Sequence, residues 1–184
     1  MIKKSKSFFA LIIATILFIF TSCEKQQNIS ELSDKYLNDA VHAWITAISW
    51  ANPEELPPDA FPAFYYHHVL IKEFPDGWTE PMEVTAEKLE AEVQSHFDVS
   101  AEHIKKAANY DTEEQVYLFD YGIGSAEFAL TKAQTKDDLL LLYFEYYDKV
   151  DTTKVIRSGI LTLKVNAERF KYLACSIQEE PSEI

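Results

Sequence analysis

The 184-residue chain carries 17 Lys plus Arg against 30 Asp plus Glu, a formal net charge of -13, with 47% hydrophobic and 14% aromatic residues. So acidic a chain disfavours nucleic acid and anionic lipid headgroups as partners. Its length and apolar content suit one globular domain with its own core, and no long shift of composition marks a second one.

Residues 1–22 read as a targeting segment that is excluded from the fold. Lys3, Lys4 and Lys6 form a cationic start, and Phe8 to Phe20 form an apolar run of 13 residues. That is the length of a signal-peptide core and short of the about 20 residues needed to cross a bilayer. The run ends in Phe20-Thr21-Ser22-Cys23, which resembles the lipobox of bacterial lipoproteins, with Phe20 where leucine is more usual. The resemblance implies that Cys23 is acylated and becomes the first residue of the mature chain. It then places the protein, lipid-anchored and extracytoplasmic, on the cell membrane or outer membrane, with the bilayer as a partner through Cys23. Without residues 1–22, which hold three lysines and no acid, 14 basic residues face 30 acidic ones, a net charge of -16. Cys175 is then the remaining thiol, so no internal disulfide can form and packing must stabilise the domain. In the strand-like run FKYLACSIQ that thiol reads as a small buried hydrophobe.

Residues 23–29 form a polar tether, residues 30–178 one globular domain, and residues 179–184 a loose acidic tail. In the domain, Ser30 can cap a helix running to about Trp50, because Leu32, Tyr36, Leu37, Ala40, Val41, Trp44, Ile45 and Ile48 recur at helical spacing. The segment NPEELPPDAFP breaks it with four prolines, and Asp59 can cap a second helix through Phe64, Tyr65, His68, Val69 and Lys72. Pro62 then falls in the first turn, where proline is tolerated. EFPDGWTEPMEV reads as a loop. Thr85 opens a third helix with Leu89, Val93 and Phe97 on one face, and Ser100 caps a short fourth one through Ile104 to Ala108.

Beyond Asn109 the apolar period falls from nearly four to two. EEQVYLFDY, SAEFALTKAQT, DLLLLYFEYYDK, VIRSGILTLKV and RFKYLACSIQ predict five strands, joined by GIG, KD, VDTTK and NAE. Connections this short favour antiparallel neighbours. Helices followed by strands predict an α+β fold, with N-terminal helices packed on one face of a C-terminal five-stranded antiparallel meander. This order of elements resembles small exported helix-then-meander domains of the NTF2-like or cystatin-like type.

Motifs that would announce chemistry fail on inspection. GIGSAE has Glu127 where a phosphate loop needs its third glycine, and a strand follows rather than a helix. The pattern G-x-S-x-G is absent, and no cofactor or metal is implied. His67 and His68 are adjacent, so on an α-helix they diverge by about 100°. Glu92 and His96 share an i, i+4 spacing and His103 follows on the next helix, so a metal site of Glu92, His96 and His103 is conceivable beside the simpler reading of a solvated helix face. Among the acids, Glu145 stands out because it lies within LLLLYFEYYD.

The same strand has two apolar faces, Leu139, Leu141, Tyr143, Glu145 and Tyr147 against Leu140, Leu142, Phe144, Tyr146 and Asp148. If helices cover one, a patch of Tyr117, Phe119, Tyr143 and neighbours is left on the other, unless a loop folds over it. Trp78, Tyr117, Phe119, Tyr143, Glu145 and Tyr147 are therefore the candidate binding residues. The preferred function is a noncatalytic binding module of the envelope, its partner an unknown envelope protein or glycan. The alternative is a small envelope hydrolase or metal-dependent enzyme, for which His67 or His68 would have to share a concave pocket with Glu145. A weaker third reading has the negative charge attract a basic protein.

Overall fold

The computed structural model describes residues 28–37, 44–120, 128–148, 150–166 and 169–179. The targeting segment, Cys23, the GIG turn, residues 38–43 and residues 180–184 lie outside the described residues; the first helix expected to run to about Trp50 ends at Tyr36 with Leu37 as its C-cap, and Thr46 to Ser49 are not helical. Helix α1, Ile29–Tyr36, opens two residues earlier than the cap at Ser30 predicts. Asn28 rather than Ser30 is its cap, the Asn28 side chain accepting from the Ser30 amide at 3.2 Å, and Tyr36 is its buried residue. A side-chain cap of this kind stabilises a helix by about 1 kcal/mol.

The prolines that follow form a 3-10 turn, Pro53–Glu55. Helix α2 then begins as Ala60–Tyr65, widens into a π-helical turn, Tyr66–Leu70, and closes over Ile71–Glu73. Pro62 is accommodated in its first turn. Asp59 makes no cap bond to α2; its carboxylate accepts instead from the Ala108 amide at 2.7 Å. Helix α3, Ala86–His96, is capped by Thr85, whose hydroxyl accepts from the Lys88 amide, and it buries Ala86, Leu89 and Val93. Helix α4, Ala101–Ile104, is capped by Ser100 through the His103 amide. Thr85 and Ser100 thus cap as their positions predict.

Seven strands among the described residues follow two schemes: β1 Met82–Thr85, β2 Tyr110–Asp111, β3 Val116–Phe119, β4 Phe128–Lys136, β5 Leu139–Tyr147, β6 Val155–Val165 and β7 Phe170–Glu179. The last four form an antiparallel sheet in sequential order, β4-β5-β6-β7, which is the predicted meander. Its tightest connection is Asp137-Asp138, with Asp137 at φ +56, a left-handed conformation that aspartate tolerates. The meander has four strands rather than five. The run read as its first strand, β3, instead pairs with β1 on one edge and β2 on the other in a separate antiparallel sheet. Both edges of β3 are taken, so β4 has nowhere to join it. β1 itself lies in the segment read as a loop; four residues after Pro81 are too few to show a period of two.

The α+β architecture stands, with a core of buried residues that runs through the helices and both sheets. Inward residues of the meander are Leu130, Leu140, Leu142, Phe144, Tyr146, Leu161, Leu163, Tyr172 and Cys175. Phe61, Phe64, Leu70, Leu89, Val93 and Phe97 come to meet them from the helical half. Each such side chain taken fully from water contributes about 1.5–3 kcal/mol before the ordering cost is counted. The two sheets share no ladder. Isolated bridges join the helical half to β7, Trp50 to Cys175 and Phe97 to Tyr172.

Candidate functional site

Along β5 the side chains alternate without a break: Leu140, Leu142, Phe144 and Tyr146 are buried, while Leu139, Leu141, Tyr143, Glu145 and Tyr147 are half-buried. The half-buried row lies on the outer face of the four-stranded sheet. Register brings Ile160 beside Tyr143, Ser158 beside Glu145 and Thr162 beside Leu141 on β6, with Ser176 opposite Ile160 and Gln178 opposite Ser158 on β7. Tyr143, Glu145, Ser158, Ile160, Ser176 and Gln178 line a shallow open groove. A second hollow continues past Leu141, Thr162 and Ala174 to Trp50 at the sheet's edge.

Two tyrosines frame Glu145. The Tyr147 hydroxyl donates to its Oε2 at 2.7 Å, and that bond, which holds the phenolic proton, pushes the Tyr147 hydroxyl above its ordinary range. Tyr143 donates to Gln134 Oε1 at 3.3 Å, and the Lys132 ammonium stands 5.0 Å over its ring. At the end of the face nearest the β4–β5 turn, Lys136, Lys164 and Lys171 occupy outward register positions, the last two paired with Asp138 and Asp98, while Lys132 stands outward midway along the edge strand β4, opposite Tyr143. Among the described outward strand positions, Glu145 is the acid. A chain that is strongly acidic as a whole therefore presents one apolar face with basic margins.

The aromatic patch expected to join Tyr117 and Phe119 to Tyr143 does not form as one surface. Tyr117 is 0% exposed and Phe119 7%, both in β3 and turned into the core. Tyr117 packs on Tyr110 with ring centroids 4.9 Å apart and donates to Glu90 Oε1 at 3.3 Å. Trp78 lies on the same side of the molecule, half-buried; its indole N–H donates to the Phe119 carbonyl at 3.3 Å and its ring meets Tyr66 edge-on. These three residues support the fold around the three-stranded sheet, while Tyr143, Glu145 and Tyr147 stay together on the open face. Period two assigned the β5 residues correctly to one face, but it could not tell which sheet β3 would enter.

The histidines divide differently from the spacing argument. Glu92 and His96 do meet, with His96 Nε2 3.4 Å from Glu92 Oε1. His103 goes elsewhere: its Nε2 lies 2.8 Å from the Leu56 carbonyl and its Nδ1 3.5 Å from Glu54 Oε2. His68 takes the place expected of His103, its Nε2 3.7 Å from the same Glu92 oxygen. His67 is buried and its ring meets Tyr66 edge-on. Among the described residues no histidine lines the groove around Glu145, so the juxtaposition of His67 or His68 with Glu145 is not made.

Cys175 is buried as its sequence context predicts, and burial pushes its thiol up to about 12. Among the described residues no helix is long and apolar enough to cross a membrane. No protein-family model, curated protein or solved structure matches the chain.

Proposed function

We propose that the chain is a lipid-anchored protein of the cell envelope whose domain binds a partner protein without acting on it chemically. The anchor rests on the cationic start, the apolar run and the small residues before Cys23. An acylated Cys23 carrying two or more chains holds a protein stably, since each buried methylene contributes about 0.8 kcal/mol.

The binding reading rests on one observation: the outer face of the four-stranded sheet carries Leu141, Tyr143, Tyr147 and Ile160 half-exposed, with no element of the described chain laid over them. Tyrosine and aliphatic side chains on a flat face are the composition of interface centres. The lysines at its margin, set against the acidic remainder, favour a partner with an apolar centre and carboxylates around it, for which Lys132 and Lys136 provide orientation. Such a protein is the occupant to which we commit. A glycan would stack on the tyrosines but would gain little from the lysines.

The test uses the full chain in its own membranes. Cys23→Ser is expected to abolish acylation and move the protein from the membrane to the soluble fraction; a membrane-bound C23S chain would remove the anchor. A photocrosslinking residue at Leu141 or Ile160 should then trap a protein that the same probe at Glu87, on the exposed side of α3, does not. The adduct should disappear in K132E/K136E and weaken as salt screens those charges, whose reach is about 10 Å at 0.1 M. Equal trapping from both sites, indifference to the lysines, or capture of polysaccharide alone would overturn the partner assignment.

A further inference from the structure

We propose that His68, Glu92 and His96 form a binding site for one divalent first-row transition cation of the zinc class, with its remaining coordination positions open to water or a small ligand. The three groups come from two helices. Glu92 and His96 stand one turn apart on α3, and His68 enters from the π-helical turn of α2. Widened turns of this kind are frequent at functional sites because they re-aim a side chain. One ligand atom from each residue falls within 4.8 Å of both others. Bonds of about 2.0–2.2 Å in tetrahedral geometry put neighbouring donors about 3.4 Å apart. The Glu92–His96 edge already has that length at 3.4 Å, and the His68–Glu92 edge at 3.7 Å needs little closure. Glu92, 37% exposed, can supply the movement.

The hydrogen bonding of His96 points the same way. Its Nδ1 lies 3.3 Å from the Phe170 carbonyl, which can only accept, so the Nδ1 proton is assigned by that partner. In the neutral ring Nε2 then carries a lone pair aimed at a carboxylate oxygen, two acceptors facing one another. Either a proton on Nε2 or a cation between the two groups resolves the conflict, and a backbone carbonyl holding the far nitrogen is the usual outer support of a metal-bound imidazole. The rings are also fixed before any ion arrives. Phe64 stacks on His68 at 5.0 Å with 13° between planes, while Phe64 and Phe170 flank His96 at 5.3 and 4.6 Å.

Lys72 acts on both histidines and opposes the cation, with Glu92 as the balancing charge. Two imidazoles and one carboxylate select zinc, cobalt, nickel or copper over magnesium and calcium, which prefer all-oxygen shells.

The site is independent of the anchor and of the sheet face. Purified full-length chain, stripped with chelator, would be titrated with Zn²⁺ by calorimetry and with Co²⁺ by visible absorption at neutral pH. One ion per chain is expected, with cobalt bands of nitrogen and oxygen donors. Glu92→Gln, at the surface, should weaken binding at least about tenfold, and H68Q should abolish it. H96Q should abolish it too, and if that variant fails to fold the other two decide. H103Q, whose ring lies against Leu56 and Glu54 instead, should bind like the parent. Absence of saturable stoichiometric binding, or binding that survives E92Q and H68Q unchanged, would overturn the proposal.

Discussion

At the scale of single residues, Cys175 is the plainest case of environment deciding chemistry. Its thiol is 2% exposed in β7, and burial holds it far above the range in which a thiolate attacks. At pH 8 the folded chain should therefore leave Cys175 unmodified by iodoacetamide, and urea should expose it to complete alkylation. Intact mass before and after unfolding reads the outcome; rapid modification of the native chain would contradict the burial. The nature of this residue was legible from the apolar strand around it. The shared face of Glu145 and Tyr147 was legible too, since they stand two residues apart on a strand, but the hydrogen bond between them was not. The joining of His68 to Glu92 was not legible. On an α-helix its direction follows from its position, but the π-helical turn rotates it, and nothing in YHHVL announces that turn.

At the scale of elements, the long strands of the meander were readable because each repeats its alternation often enough to stand out, and their registers follow from the inward leucines and aromatics. Gly159 shows how close the fit between neighbouring strands is. It sits in mid-β6 opposite Phe144, and an added Cβ would meet Phe144 Cζ at 2.5 Å and the Ser176 carbonyl at 2.8 Å. The ring lies over the glycine, and neither ring nor backbone can retreat without disturbing β5 or β7. Gly159→Ala is expected to destabilise the domain by about 1–3 kcal/mol, seen as a lower urea midpoint at unchanged m-value. An unaltered midpoint would mean that the packing over Gly159 is loose. The short strands β1 and β2 escaped the sequence for the opposite reason. Four and two residues carry no period, and their stability is borrowed from β3, which reaches them from farther along the chain.

At the scale of the molecule, the two sheets do not hydrogen-bond to each other, yet one continuous core spans both, with Phe97 stacked on Tyr172 and Phe64 meeting both rings. Neither sheet can lose its partner side without exposing that aromatic cluster, so unfolding should be a single cooperative transition. Single-tryptophan variants retaining Trp50, bridged to the meander, or Trp78, bonded to the three-stranded sheet, should give coincident urea curves; separate curves would show two folding units. The sequence by itself determined the class of fold, the order of the four long meander strands, the faces of β5 and the burial of Cys175, because these follow from periodicity and short connections acting over neighbouring positions. Tertiary structure alone decided that β3 would leave the meander, that Tyr117 and Phe119 would be core, and that His68 rather than His103 would face Glu92. Each of those outcomes depends on which distant segment claims a strand edge or a helix face, and that competition is settled only when the whole core packs.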